Sequence, residues 1–137
     1  MRISVIAVGR MRPPYQDDIE HYRKLIAGHA RVELLEVREE EAIQQRIKDR
    51  TYVVVLHSEG KAYDSPAFAG WLEERRRDGR DVAFVIGGAR GLALDLDRVD
   101  LKLSLGAMTL PHQLARVVLM EQLYRAHKIL AREPYHY

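Results

Sequence analysis

Two short runs constrain the fold most: Tyr52–Leu56 (YVVVL) and Asp81–Ile86 (DVAFVI). Both are apolar or β-branched at nearly every position, so neither leaves a polar face for water. A strand of that kind has to be covered on both sides, as a central strand of a parallel sheet is. Ile3–Val8, stopped by Gly9, reads as a third strand, with Val32–Val37 (VELLEV) and Leu101–Leu105 as further short ones. Segments of helical period separate them. Tyr15–Ala27 puts Ile19, Tyr22 and Ile26 on one face. Glu40–Lys48 is charged, with Ile43 and Ile47 at helical spacing, and predicts a short surface helix. Ser65-Pro66 reads as an N-cap with proline at the first helical position, ahead of Phe68, Trp71 and Leu72. A short helix is expected before the last strand, and Pro111 opens a long helix reaching about Ala131. This order predicts an α/β fold: one domain over residues 1–137, a mostly parallel sheet with helices on both faces.

Composition removes several classes of function. The 137 residues include no cysteine, which excludes disulfides, thiolate zinc sites and cysteine nucleophiles. The six histidines have no metal-ligand spacing, so no metal is expected, and no serine stands in a GxSxG context. No apolar run approaches the ~18 residues of a membrane span, so no membrane partner is expected. Met1–Val5 reads as a strand rather than a leader, and the expected location is cytoplasmic. Net charge is only +2, but from Lys102 onward five Lys/Arg face two Glu, which predicts a modest basic surface there.

In parallel sheets ligands sit beyond the carboxyl ends of the strands, here the turns after Val8, Leu56, Ile86 and Leu105. His57–Lys61 reads as an exposed loop in which Gly60 allows a tight turn and Lys61 attracts an anion. Gly87-Gly88-Ala89-Arg90-Gly91 lets backbone approach a ligand closely, yet it lacks both the GxGxxG spacing and the Lys-Ser/Thr of a phosphate loop. In Ser104–His112, Gly106 and Ala107 make a small-residue loop, Leu105, Met108 and Leu110 make an apolar wall, and Thr109 is placed to cap the following helix. Such a loop suits a flat, partly apolar group such as adenine, held by backbone contacts. The long helix is apolar over more than one stripe, so a second copy of the chain is expected against it, as a symmetric homodimer. The tail ends in Tyr135, His136 and Tyr137; tyrosine rings stack on bases and histidine transfers protons near neutral pH.

Taken together, DVAFVIGG (81–88), Gly91-Leu92, Leu103-Ser104-Leu105, MTLPH (108–112), LARV (114–117), EQLYRA (121–126) and Pro134-Tyr135-His136 resemble the ribosomal large subunit methyltransferase H family. Gly60-Lys61, Ser65 and Phe68-Ala69 fit the same pattern. The resemblance implies a SPOUT-class enzyme with a C-terminal trefoil knot, acting as a homodimer. It implies S-adenosylmethionine as donor and the ribosome as partner, with N3 of a pseudouridine in helix 69 of 23S rRNA as acceptor. By position, the family's cofactor-binding residues fall on Leu56, Gly87 and the loop Leu105, Gly106, Ala107, Met108, Thr109 and Leu110; Gly88 and Gly91 join them from the glycine turn. His136 and Tyr135 are the candidates for handling the N3 proton, with Arg132 or Arg116 as electrostatic support. Arg2, Arg10 and Arg12, with Lys128 and Arg132, are the expected RNA-facing cations. The chain departs from the family in being trimmed between Ala30 and Thr51, and in carrying Gly106 where Ser is usual. Two other readings remain open at this point: a SPOUT enzyme acting on tRNA or another rRNA base, and a non-catalytic α/β module that binds ribosomes. A flavodoxin-like domain fits less well, because no Ser/Thr-rich phosphate loop follows Val8.

Overall fold

The computed structural model describes residues 1–88, 92 and 96–135. Five strands, β1 (Arg2–Val8), β2 (Arg31–Val37), β3 (Tyr52–Ala62), β4 (Val82–Ile86) and β5 (Leu101–Ser104), form one sheet. Every pairing in it is parallel, in the order β2-β1-β4-β3-β5. Three α-helices connect them: α1 (Tyr15–Ala27), α2 (Ser65–Asp78) and α3 (His112–Leu130).

Alternation along the strands divides the core in two. Ile3, Val5, Val54, Phe84 and Leu103 face one side, where they meet Ile26 of α1, Trp71 of α2 and Leu119 and Leu123 of α3. An aromatic stack sits in this layer, with Phe68 and Trp71 nearly coplanar at 5.6 Å between centroids and Phe84 edge-on to both. Burying side chains of this size stabilises by roughly 2–3 kcal/mol each, which makes this layer the stability centre of the domain. Ile6, Val53, Val55, Ala83 and Val85 face the other side, under Ile43, Ile47, Leu92 and Leu96. Both faces are covered as expected, but unevenly, since all three α-helices share the first.

Several local expectations change. Glu40–Lys48 is not one helix but two 3-10 turns, Glu40–Ala42 and Gln44–Arg46, each closed by an i→i+3 bond. The break turns the fully buried Ile43 onto the sheet from the bend between them. The strand from Tyr52 does not stop at Leu56. It runs on to Ala62, with Leu56 and Lys61 both in register with Leu103 across an irregularity. Gly60 therefore serves a close approach rather than a tight turn, because a Cβ there would stand 2.6 Å from Lys102 C and O. Asp64, not Ser65, caps α2, its Oδ1 accepting from the Ala67 N–H at 2.8 Å. Ser65 is the first helical residue, and its hydroxyl donates instead to Gln122 Oε1 at 2.7 Å. Thr109 does not cap α3: the cap position is Pro111, with no side-chain bond. The short helix expected between β4 and β5 lies outside the described residues. Among the described residues no helix is long and apolar enough to cross a membrane.

Candidate active site

The candidate cofactor residues collect on three adjacent strands at the level where β4 and β5 end, with Leu56 inside β3, which runs on past them. Leu56 lies on β3, Gly87 and Gly88 follow β4, and Leu105–Leu110 follow β5. Since β4, β3 and β5 are neighbours in the sheet, the three positions are spaced at the ~4.8 Å interval of paired strands. Gly87 is buried and Gly88 backs onto Val8 at the end of β1. Gly91 lies outside the described residues.

The β5–α3 loop is shaped by its own residues. Gly106 has φ +140, a conformation that a Cβ strains even though the space around it is open. Ser104 holds the turn from both sides, its hydroxyl donating to the Gly106 carbonyl at 2.9 Å and accepting from the Gly106 N–H at 3.2 Å. Beyond that point the amides of Ala107, Met108, Thr109 and Leu110 donate to no described residue. Met108 is 86% exposed, an apolar side chain left in the open beside those free donors. Free backbone donors next to uncovered apolar surface fit an adenosine-type ligand, so these residues suit the cofactor that the resemblance implies.

Beside this loop lies a cavity of about 340 Å³ between the end of β5, the start of α2 and the middle of α3. Tyr63, Phe68, Ser104, Leu105, Leu119 and Gln122 line it, and the Ser65–Gln122 bond crosses its edge. Sequence reasoning missed Tyr63 and Gln122 as site residues. Gln122 had a signal in the EQLYRA motif, but only the packing of α3 on α2 gives it a partner. Leu56 and Gly87 stand on neighbouring strand ends and are not in this wall.

Among the described residues, the candidate catalytic residues Arg116, Arg132 and Tyr135 do not meet these loops within one chain. Arg116 is buried at the carboxyl edge of β1, donating to the Val8 carbonyl at 2.6 Å and pairing with Glu36 at 3.3 Å. Burial works against its charge, and the Glu36 carboxylate offsets that. It is a buried tie between α3, β1 and β2, not an exposed electrostatic group. Arg132 lies at the other end of α3, at φ +57. The Arg132 N–H donates to Ile129 O at 3.1 Å and the Glu133 N–H to Lys128 O at 3.0 Å, the paired bonds of a Schellman cap. Glycine is usual at such a position, so arginine is held there in a backbone conformation it disfavours.

After this cap the chain turns back along α3. Tyr135 packs on Tyr124 at 5.0 Å, and the Arg125 guanidinium lies 4.4 Å over its ring. Arg125 in turn pairs with Glu121 at 2.9 Å. Burial first, and then hydrogen bonds with Glu121 and Tyr22, push the Tyr135 phenol well above its ordinary range. Arg125, absent from the sequence-derived candidates, is thus part of the tail's setting. His136 lies outside the described residues.

The expected RNA-facing cations also separate. Arg10 and Arg12 follow the carboxyl end of β1 and are exposed. Arg2 is at the opposite end of that strand, paired with Glu33. Lys128 is tied to Glu133 at 2.8 Å.

A parallel sheet with an open loop of free amides beyond its strand ends is a frame in which ligands of this kind are commonly bound. The chain belongs to the SPOUT methyltransferase family: the family model described as a predicted SPOUT methyltransferase matches residues 1–136. Membership implies the C-terminal trefoil knot and makes the protein a methyl-transferring enzyme of a class that uses S-adenosylmethionine. The chain is 37% identical to ribosomal RNA large subunit methyltransferase H of Clostridium botulinum over 158 aligned residues, covering 99% of each chain. It is 43% identical to the protein of that name from Anaeromyxobacter sp. over 152 residues, again 99% of each, and 38% identical to that of Lysinibacillus sphaericus.

Proposed function

We propose that this enzyme methylates large-subunit rRNA, moving a methyl group from S-adenosylmethionine to N3 of a pseudouridine in helix 69 of assembled ribosomes. The observation that carries the reading is the β5–α3 loop, with free amides from Ala107 to Leu110 beside the exposed Met108, in a chain whose full-length relatives bear an rRNA methyltransferase name.

When bound, S-adenosylmethionine supplies a methyl group already activated on a sulfonium, so positioning carries much of the catalysis. Leu56, Gly87, Gly88, Gly91 and the loop Leu105–Leu110 hold the cofactor by backbone contacts. The acceptor nitrogen must lose its proton, and His136 is the group suited to take it near neutral pH. Tyr135 keeps its own proton, because burial and Glu121 hold its phenol protonated, so it does not act as the acceptor of the N3 proton. Arg125 and Arg132 supply positive charge beside it.

The active form is a homodimer with sites shared between copies. The 19-residue α3 is about 28 Å long. The cofactor loop precedes its first turn, whereas Tyr135 packs against residues near its middle and Arg132 follows its last. A second copy docked on the half-buried Leu114, Val117 and Val118 of α3 brings its own tail toward this loop.

The test is transfer of labelled methyl from S-adenosylmethionine to ribosomes lacking the modification, with free subunits and tRNA as controls. Label in the large-subunit rRNA of assembled ribosomes supports the reading. Label confined to tRNA keeps the enzyme class and overturns the substrate.

A further inference from the structure

The edge of the sheet opposite the cofactor loops carries its own charge pattern. Register aligns Arg31, Arg2, Asp81 and Thr51 across β2, β1, β4 and β3, at the amino ends of the strands. The next row inward holds Ser4 and Ala83, which are too small to fill the space above them. A hollow of about 240 Å³ results, roofed by Arg46 and Lys48 from the segment that enters β3. Within it Arg2 is already satisfied, by Glu33 at 3.6 Å through its side chain and by Asp81 Oδ1 at 2.9 Å through its N–H.

The cations around the rim are not satisfied. Arg31, Arg46, Lys48 and Arg50 are all exposed, and none makes an ion pair with a described residue. Of the carboxylates beside them, Glu33 is paired with Arg2, while Asp49, Asp81 and Asp97 are exposed, so four unpaired cations face three exposed carboxylates. Elsewhere the exposed arginines of α2 sit in local pairs: Arg76 and Arg77 with Glu73, Arg75 with Glu74 and Asp78.

The rim is also held in place. Arg50 has φ +68, a left-handed conformation that glycine adopts freely and arginine does not. The guanidinium groups of the partly exposed Arg80 and the exposed Arg98 fix this turn by its carbonyls. Arg80 Nε donates to Arg50 O at 3.0 Å, and Arg98 donates to Thr51 O. Asp100 anchors both arginines, at 3.7 Å from Arg80 and 3.1 Å from Arg98. The chain thus spends four side-chain contacts to present an arginine where the backbone would favour glycine. Unpaired guanidinium and ammonium groups on a fixed, hollowed edge match the phosphate oxygens of a nucleic-acid backbone.

We propose that this amino edge, centred on Arg31, Arg46, Lys48 and Arg50, is a second rRNA-contacting surface that grips backbone phosphates away from the site of methyl transfer. The strands separate the two edges by about 20 Å, at ~3.3 Å per residue. A large folded RNA covers both edges at once. The proposal rests on the rRNA reading above and assigns the enzyme's preference for an assembled substrate to named residues.

The test is ribosome binding by cosedimentation across a series of salt concentrations. It compares the parent with Arg31→Gln/Arg46→Gln/Lys48→Gln/Arg50→Gly, and with Arg46→Gln/Lys48→Gln as a milder variant. Arg76→Gln/Arg77→Gln on α2 is the charge-matched control. Each lost phosphate contact lowers the slope of log affinity against log salt by about 0.7–0.9. The expected results are a slope reduced by about three in the fourfold variant, about half that in the double variant, and no change in the control. S-adenosylmethionine binding by calorimetry stays at the parent value, and thermal stability does not fall, since glycine relieves the left-handed conformation at position 50. Equal affinity and slope in parent and fourfold variant overturn this surface while leaving the rRNA reading intact. Lost affinity with an unchanged slope puts a protein rather than phosphate against this edge and overturns it as well. A parent that neither binds nor methylates ribosomes overturns the rRNA reading and this surface together.

Discussion

The ring of Tyr135 stands edge-on to that of Tyr124, 5.0 Å between centroids, and this contact holds the tail against the second half of α3, short of the first turn where the cofactor loop of its own chain ends. In the proposed dimer, a tail in that position serves the neighbouring copy. Mixing two inactive variants tests this: Gly106→Asp, damaged in the loop, and a chain ending after Glu133. Random pairing restores one complete site in half of the dimers, so methyl transfer recovers to about a quarter of parent activity. No recovery in verified mixed dimers means that loop and tail act within one chain.

Arg132 separates a backbone role from a side-chain role. Its left-handed conformation favours glycine, so Arg132→Gly raises stability by up to about 1 kcal/mol, read from denaturant midpoints. The same variant loses activity on ribosomes if the guanidinium supports the acceptor. A gain in stability with full activity assigns Arg132 to the helix cap alone.

Two glycines near the site respond in opposite ways. Gly60→Ala drives a Cβ into the Lys102 backbone and costs about 1–3 kcal/mol, seen as a lower melting temperature. Gly106→Ser meets open space and strains only its own φ, so the fold loses about 1 kcal/mol or less. Its effect appears instead in calorimetry, as weaker S-adenosylmethionine binding when the loop leaves its observed shape. Unchanged affinity for Gly106→Ser contradicts the role given to that conformation.

Removing Arg116 takes the donor from the Val8 carbonyl and leaves Glu36 with only the Met11 N–H. Arg116→Met therefore costs about 2–3 kcal/mol in denaturant unfolding, even though it keeps most of the buried volume. If the variant is fully stable but inactive, Arg116 acts electrostatically in catalysis and the structural assignment is wrong.

Stability also depends on pH through α3. Burial lowers the pKa of His127 below 6.5, and the nearby His29 works in the same direction, while a hydrogen bond to the Leu123 carbonyl opposes them. His112 is lowered as well, by burial first and then by Arg116 and Arg12. A depressed folded-state value means that the unfolded chain binds the proton more readily. The contribution is therefore complete above the unfolded value of 6.5 and is lost as pH falls through the folded one. Melting temperature should fall on acidification from about pH 7 to pH 5, and His127→Gln should flatten that slope. An identical slope in the variant removes His127 from the account.

The strands and their order of appearance were legible because YVVVL and DVAFVI have only one stable environment. The glycine turn and the 105–110 loop were legible because parallel sheets put ligands at strand ends. The extension of β3 to Ala62 was not legible, because His57–Lys61 is polar and its pairing depends on Leu103, more than 40 residues away. Asp64 was passed over for Ser65 because both residue types cap helices, and only packing against Gln122 gives the serine another partner. The basic amino edge was invisible for a similar reason. Arg31 opens β2 while Arg46, Lys48 and Arg50 precede β3, and the sheet order is what brings them together. Arg2 was grouped with Arg10 and Arg12 by sequence proximity, yet the full length of β1 stands between them.

The most direct measurement is the identity of the methylated nucleoside, by mass spectrometry of 23S rRNA fragments from ribosomes treated with enzyme and S-adenosylmethionine. The account predicts a single methyl on N3 of a pseudouridine within the helix 69 fragment, dependent on His136 and absent when free rRNA replaces the ribosome. A methyl on another base, or one placed equally well on naked RNA, contradicts it.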